Sequence, residues 1–170
     1  TSQLVRFERF IEKDVPMEEV LLGVYNSHPA RYAGYHIRQL CQEMHDFYRE
    51  RNVKDLQKKL FRREYFPGYV TNPQDALMRG QSELVPLSEI EGRIALEGAL
   101  PYPPGVLCVV PGERWSKTAV QYFQTLEESI NILPGFASEI QGVYLAKEGT
   151  KTKAYGYVLT EKAEKYFLNK

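Results

Sequence analysis

Neither sign of charge is in surplus in this chain of 170 residues, where 22 lysines and arginines balance 22 aspartates and glutamates. Binding a phosphate backbone needs an excess of cations, so composition makes no case for a nucleic-acid partner. The basic cluster Lys54, Lys58, Lys59, Arg62 and Arg63 is interleaved with acids and reads as a solvated helix face. Cysteine is scarce. Cys41 and Cys108 are too far apart to form a metal-spaced pair, and both lie in apolar-periodic segments. Free core thiols in a reducing, cytosolic setting are the simplest expectation. No run is apolar and long enough to span a bilayer, and no signal peptide is visible. Internal repeats, low-complexity tracts and long linkers are also missing. The chain begins Thr1-Ser2-Gln3, without methionine, so the expectation is a fragment or a processed chain.

The motifs of self-contained chemistry are absent as well. There is no Walker phosphate loop, and the glycines from Gly98 to Gly105 are proline-broken and lack a strand-to-helix context. No HExxH and no cysteine-histidine cluster is present, so a zinc site is not expected. A GxSxG elbow is missing. His28, His36 and His45 share no clean helical face and suit hydrogen-bonded structural roles better than a triad. Glu91, Glu97 and Glu113 could be paired acids. Their plainer reading puts Glu91 in a turn, and has Glu113 capping a helix or pairing with Arg93 or Arg114. Glu97 is the better functional candidate, because it ends a strand beside two glycines and a proline-rich loop.

What is present is a core. Apolar residues make up 43% of the chain, and its length suits a domain with a packed interior. Leu4, Phe7, Phe10 and Ile11 share one face of a first helix. Pro16 opens a short helix carrying Met17, Val20, Leu21 and Val24. Ser27-His28-Pro29 reads as a turn. Ile37, Leu40, Cys41, Met44, Phe47 and Tyr48 stripe a helix from about His36 to Arg51. Asn52 is expected to cap the next helix, with Val53, Leu56, Leu60 and Phe61 inward. Asn72-Pro73 starts another that stops at Gly80. Glu83 to Leu87 reads as an edge strand because Pro86 cannot donate to a central ladder. Strands are expected at Gly92–Gly98 and Val106–Val110, and a helix capped by Ser116 should reach about Ile132. A hairpin of Ile140–Ala146 and Ala154–Leu159 follows, then a helix capped by Thr160. The class is α+β, with a helical first half packed on a small, mainly antiparallel sheet and a C-terminal hairpin.

One segment looks over-determined for folding alone. Ala99-Leu100-Pro101-Tyr102-Pro103-Pro104-Gly105 holds three prolines and a terminal glycine between two expected strands. Proline locks φ, and glycine allows close approach of chain or ligand. Tyr102 is held there with its phenol available as a donor. Such a loop presents functional groups, or it is a tight structural crossover or subunit contact.

At this loop the sequence resembles a known family. Glu91-Gly92-Arg93-Ile94-Ala95 and the block from Glu97 to Glu113, with its Pro101-Tyr102-Pro103-Pro104-Gly105 core, look like the C-terminal domain of the bacterial ornithine/lysine/arginine decarboxylases. The segments Ile37 to Tyr48, Leu133-Pro134-Gly135-Phe136 and Gln141-Gly142-Val143-Tyr144 match the same group. The cysteine-bearing block and the segment from His36 to Tyr48 look most like the ornithine branch. The similarity runs from about Leu22 to Leu159. Residues 1–20 look like the tail of a preceding aminotransferase-like small domain, leaving 21–170 as the decarboxylase domain.

The resemblance implies a large fold-type-I enzyme that turns ornithine into putrescine and carbon dioxide. It implies pyridoxal 5'-phosphate bound by a separate domain, and homodimers assembling into larger cytoplasmic oligomers. The Ser-X-His-Lys segment expected to carry the cofactor is absent, since Ser27-His28 is followed by Pro29. No catalytic residue is therefore assigned to this segment, and the isolated domain is expected to be inactive. Glu97, Tyr102, Pro103 and Gly105 are the candidate channel or pocket-wall residues. The alternatives are a non-catalytic assembly domain of a lysine or arginine decarboxylase, or an independent small-molecule module.

Overall fold

Six helices in close succession build the first third of the structure: α1 (Ser2–Lys13), α2 (Met17–Val20), α3 (Leu22–Ser27), α4 (Pro29–Tyr32), α5 (Ile37–Glu50) and α6 (Val53–Leu60). This computed structural model describes residues 2–62, 64, 67–68, 70–102 and 105–168, with side chains described between 6 and 165. The Ile37–Tyr48 stripe does what its spacing predicts. Ile37, Leu40 and Phe47 are buried, and Cys41, Met44 and Tyr48 are partly so. Met17, Tyr32, Ile37 and Leu40 form a small N-terminal core against which Phe136 packs. Arg38 on α5 donates to the Ile11 carbonyl at 2.7 Å, satisfying the open C-terminal end of α1.

The remaining elements are α7 (Pro73–Met78), β1 (Ser82–Pro86), β2 (Leu100–Pro101), α8 (Lys117–Ile132), β3 (Ile140–Gln141), β4 (Tyr144–Glu148), β5 (Lys151–Leu159) and α9 (Glu161–Leu168). Asn72 and Ser116 cap α7 and α8 as expected, accepting from Gln74 N at 3.1 Å and Ala119 N at 3.2 Å. Thr160 caps α9 through Ala163 N. β1, β5 and β4 form an antiparallel sheet in that order, so Pro86 does lie on an edge strand. β2 and β3 make a separate two-stranded pair.

The main core lies between this sheet and helices α6 and α8. Trp115, Phe123, Leu126, Val120 and Ile90 are almost wholly buried there. Each large apolar side chain removed from water stabilises the fold by about 1.5–3 kcal/mol, which makes this cluster the chief source of stability. Gly156 on β5 is what lets it close. A Cβ there would lie 2.6 Å from Ile90 Cδ1 and 3.4 Å from the Trp115 ring.

Four local expectations are corrected. Asn52 is not a side-chain cap. It takes the left-handed conformation (φ 51°, ψ 35°) that turns α5 into α6, and its side chain makes no cap hydrogen bond. Gly92–Gly98 is no continuous strand, because Ile94 and Ala95 bridge different neighbours, Arg114 and Val158, and neither ladder extends. Val106–Val110 is no strand either. Val109 bridges Ala99, while Val106, Leu107 and Val110 remain exposed. The expected Ile140–Ala146 strand is split into β3 and β4 by Gly142, at φ 76°.

Gly142 also sets the tightest crossing in the chain. A Cβ on it would sit 1.9 Å from the Gly98 carbonyl oxygen, so no side chain fits. Gly142→Ala combines that clash with a left-handed backbone, and should lower stability by at least about 2 kcal/mol. Thermal unfolding followed by fluorescence of Trp115, the sole tryptophan of the chain, checks this.

Arg51 ties α5 and α6 to α8 by a two-pronged pair with Glu128, donating from Nε at 2.6 Å and from Nη2. The arginine holds the Glu128 carboxyl below its ordinary value, by hydrogen bonding first. A depressed acid stabilises the fold above its unfolded pKa, and that contribution fades as pH falls through the folded one. Glu128 is 45% exposed, so the pair contributes only about 0.5–1 kcal/mol. Glu128→Gln should lower the thermal midpoint at pH 7, and the gap from wild type should close below about pH 4.

Candidate functional site

The chain enters the proline-rich loop from buried residues and leaves it on the surface. Ile94, Ala95 and Leu96 are buried, Glu97 and Gly98 half-buried, and Ala99 buried again. Leu100 and Pro101 then pair with Gln141 and Ile140. The Tyr102 N–H donates to the Glu139 carbonyl at 2.7 Å, which anchors the first half of the loop to β3. The Tyr102 side chain itself is 50% exposed. Pro103 and Pro104 lie outside the described residues. Gly105 is exposed, with open space where a Cβ would stand.

The candidate residues divide into two neighbourhoods. Gly105 borders a shallow cavity of about 260 Å3, walled by Pro101, Val106, Cys108, Phe61 and Tyr122. Burial pushes the Cys108 thiol up to about 11, so it stays protonated and unreactive near neutral pH. Glu97 lies on the other side, against the hairpin. Both of its carboxylate oxygens accept from the Tyr144 hydroxyl, at 2.8 and 3.0 Å. The Tyr144 ring meets the Tyr157 ring edge-on, with centroids 5.0 Å apart. No hydrogen bond joins Glu97 to Tyr102 among the described residues. Leu107 packs over Gly98, its Cδ2 lying 2.8 Å from where a Gly98 Cβ would be.

Together these residues leave an unusual apolar margin. Tyr102, Val106, Leu107, Val110, Tyr144 and Phe61 are each 39–63% exposed. A larger hollow of about 980 Å3 lies elsewhere, along β1 and the start of α9. Its lining mixes Glu83, Glu89 and Glu161 with Arg93, Lys162 and Lys165. That balance gives no preferred ligand charge, so the loop side is the stronger candidate.

The other acids and bases take structural places. Arg93 pairs with Glu83 and Arg114 with Glu164, so neither is the partner expected for Glu113. His36 faces the Asp14 carbonyl through Nδ1, at 2.5 Å. Among the described residues no three His, Cys, Asp or Glu side chains group as a metal site. No lysine among them is buried. A buried lysine of the kind that forms a Schiff base is therefore not found among the described residues.

Sequence reasoning singled out Glu97 but not Tyr144, its hydrogen-bond partner. The two are 47 residues apart and meet only through the Gly98–Gly142 crossing. Tyr144 lies in a segment quoted for its resemblance, yet no spacing rule connects it to Glu97.

Comparisons with known proteins follow the same lines. The family model described as Orn/Lys/Arg decarboxylase, C-terminal domain, matches residues 54–160. An ornithine decarboxylase of Haemophilus influenzae is 62% identical over 94% of this chain, which covers 23% of that protein. The inducible ornithine decarboxylase of Escherichia coli is 57% identical over 92% of the chain and 22% of its own length. Lysine decarboxylase A from Pseudomonas aeruginosa superposes with a TM-score of 0.84 at 28% identity, covering 94% of this chain and 22% of that one. The chain thus spans less than a quarter of the proteins it matches.

The hydrogen bond from Tyr144 to Glu97 raises the Tyr144 phenol above its ordinary value, with a smaller push from burial. Its stabilising effect is present below the unfolded value of 10.0 and is lost as pH rises through the higher folded value. Glu97→Gln should bring that titration back down. NMR of tyrosines labelled at Cζ, with Tyr144→Phe to assign the signal, reads it directly.

Proposed function

For a chain that belongs to the C-terminal domain family of the Orn/Lys/Arg decarboxylases, we propose the role of entrance wall and assembly contact in an ornithine decarboxylase. The whole enzyme would be a carboxy-lyase converting ornithine to putrescine and carbon dioxide. Two ornithine decarboxylases at 62% and 57% identity support the ornithine branch over the lysine branch, where the inducible Escherichia coli enzyme is 33% identical. In this reading 21–170 form the domain, and residues 1–20 are the tail of an aminotransferase-like small domain.

The observation that carries the proposal is the apolar margin of the loop. Val106, Leu107 and Val110 have the sequence of a buried strand, yet they stand 39–63% exposed. Apolar side chains left this exposed are the mark of a surface made to be covered. The cover here is the remaining length of the same enzyme and its neighbouring subunit, in a cytoplasmic homo-oligomer. Sites at such junctions commonly take walls from several segments. Tyr102 and Gly105 would then line the channel together with Glu97 and Pro103.

Pyridoxal 5'-phosphate is the cofactor this reading requires, and it would be held in another domain. When bound it supplies the electron sink for loss of carbon dioxide. The part of this chain is different. Its loop excludes water and narrows the path, and its charged and phenolic groups orient what passes.

A rival reading makes the domain a pure assembly contact, as in a lysine or arginine decarboxylase without substrate contact here. Tyr102→Ala in the full-length enzyme separates the two. The entrance reading expects kcat/KM for ornithine to fall by about threefold to thirtyfold, as loss of a positioning contact does, with the oligomer intact by analytical ultracentrifugation. The assembly reading expects dissociation with unchanged turnover per intact site.

A further inference from the structure

Four carboxylates of this fold are answered by arginine, while Glu127 accepts from the Ala154 N–H and Glu148 from the Tyr155 hydroxyl. Glu43 meets Arg31, Glu83 meets Arg93, Glu128 meets Arg51 and Glu164 meets Arg114. Glu97 is answered by a neutral phenol, and among the described residues no lysine, arginine or histidine nitrogen lies within 4.0 Å of it. A carboxylate offers about four acceptor sites, and a single hydroxyl proton leaves most of them, and the whole negative charge, unmatched.

The surroundings select what can match it. The Tyr144 ring, stacked edge-on to Tyr157, supplies a π face beside the carboxylate. Leu107 lies over Gly98, the next residue, and is 42% exposed. The Gly98–Gly142 crossing fixes the segment that carries Glu97 against the one leading to Tyr144, so the site needs no rearrangement to form. An anion is repelled here, and a neutral hydroxyl or amide makes no use of the charge. A primary ammonium at the end of an aliphatic chain uses all three features: carboxylate for the head, ring for the cation, leucine for the methylenes.

We propose that Glu97, held in place by Tyr144, is a binding residue for a primary alkylammonium group at the mouth of the channel. This rests on the entrance-wall reading. The ammonium is the distal one of the diamino-acid substrate, and equally either end of the diamine product. A lysine side chain from elsewhere in the assembled protein carries the same chemistry, and the test must tell it apart.

The test uses the full-length enzyme. Glu97→Gln keeps the shape and the contact with Tyr144 but removes the charge. KM for ornithine and the inhibition constant of 1,4-diaminobutane should both rise about tenfold, the size of one charge-assisted hydrogen bond, with a smaller change in kcat. The inhibition constant of 2-aminopentanoate, which lacks the distal ammonium, should move by less than about twofold. Glu97→Asp should restore part of the loss. Equal weakening of 2-aminopentanoate and the diamine overturns the proposal. So do unchanged constants, and unchanged constants accompanied by a fall in oligomer stability identify a protein lysine as the partner. Tyr102→Ala keeps the two readings apart. If it alters ornithine kinetics while Glu97→Gln does not, the ammonium site fails and the entrance wall stands; if neither does, the entrance wall fails.

Discussion

Two backbones cross at Gly98 and Gly142 with no room for a side chain between them, and the arrangement of the second half of the chain follows from that contact. It brings the residues after the buried Ile94–Leu96 segment against the start of the hairpin. It breaks what would have been one long strand into β3 and β4. It lets β2 pair with β3 and gives the Tyr102 N–H its acceptor on Glu139. Glu97 and Tyr144, on either side of the crossing, are placed within a hydrogen bond of each other as a consequence.

Behind this crossing the fold is rigid for ordinary reasons. Trp115 and Phe123 meet edge-on at 5.4 Å in a core floored by β5 and roofed by α8. In front of it the fold is incomplete by the same measure. An interior packs like a crystal of small molecules, whereas Phe61, Tyr102, Val106, Leu107 and Tyr144 are 42–63% exposed. This contrast between a closed back and an open front connects the domain to its proposed place in a larger enzyme. A scaffold positions the loop, which in the proposed role meets what the scaffold does not contain.

Much of this was legible in the residues. The α5 stripe, the caps at Asn72, Ser116 and Thr160, and the edge placement of Pro86 all rest on short-range rules of period or local hydrogen bonding, and each is found as expected. Where sequence reading went astray, the deciding partner was remote. An apolar run at Val106–Val110 looks like a strand, but a strand needs a neighbour along its length, and only Val109 has one. Asn52 looks like a cap, but the angle between α5 and α6 requires a left-handed residue there.

Composition and periodicity by themselves determined the class of fold, the longer helices and the absence of a nucleotide or metal motif, and the family followed from the resemblance of the proline block and its neighbouring segments. Glu97 and Tyr102 were singled out on the same basis. Tertiary structure alone decided that Glu97 pairs with Tyr144 rather than with an arginine, that Tyr102 stands apart from it, and that the apolar strand candidate faces outward. The physical reason is reach. Helix stripes and caps depend on neighbours within a turn or two, whereas a charge's partner and a side chain's burial depend on which distant segments the crossing of two glycines allows to touch.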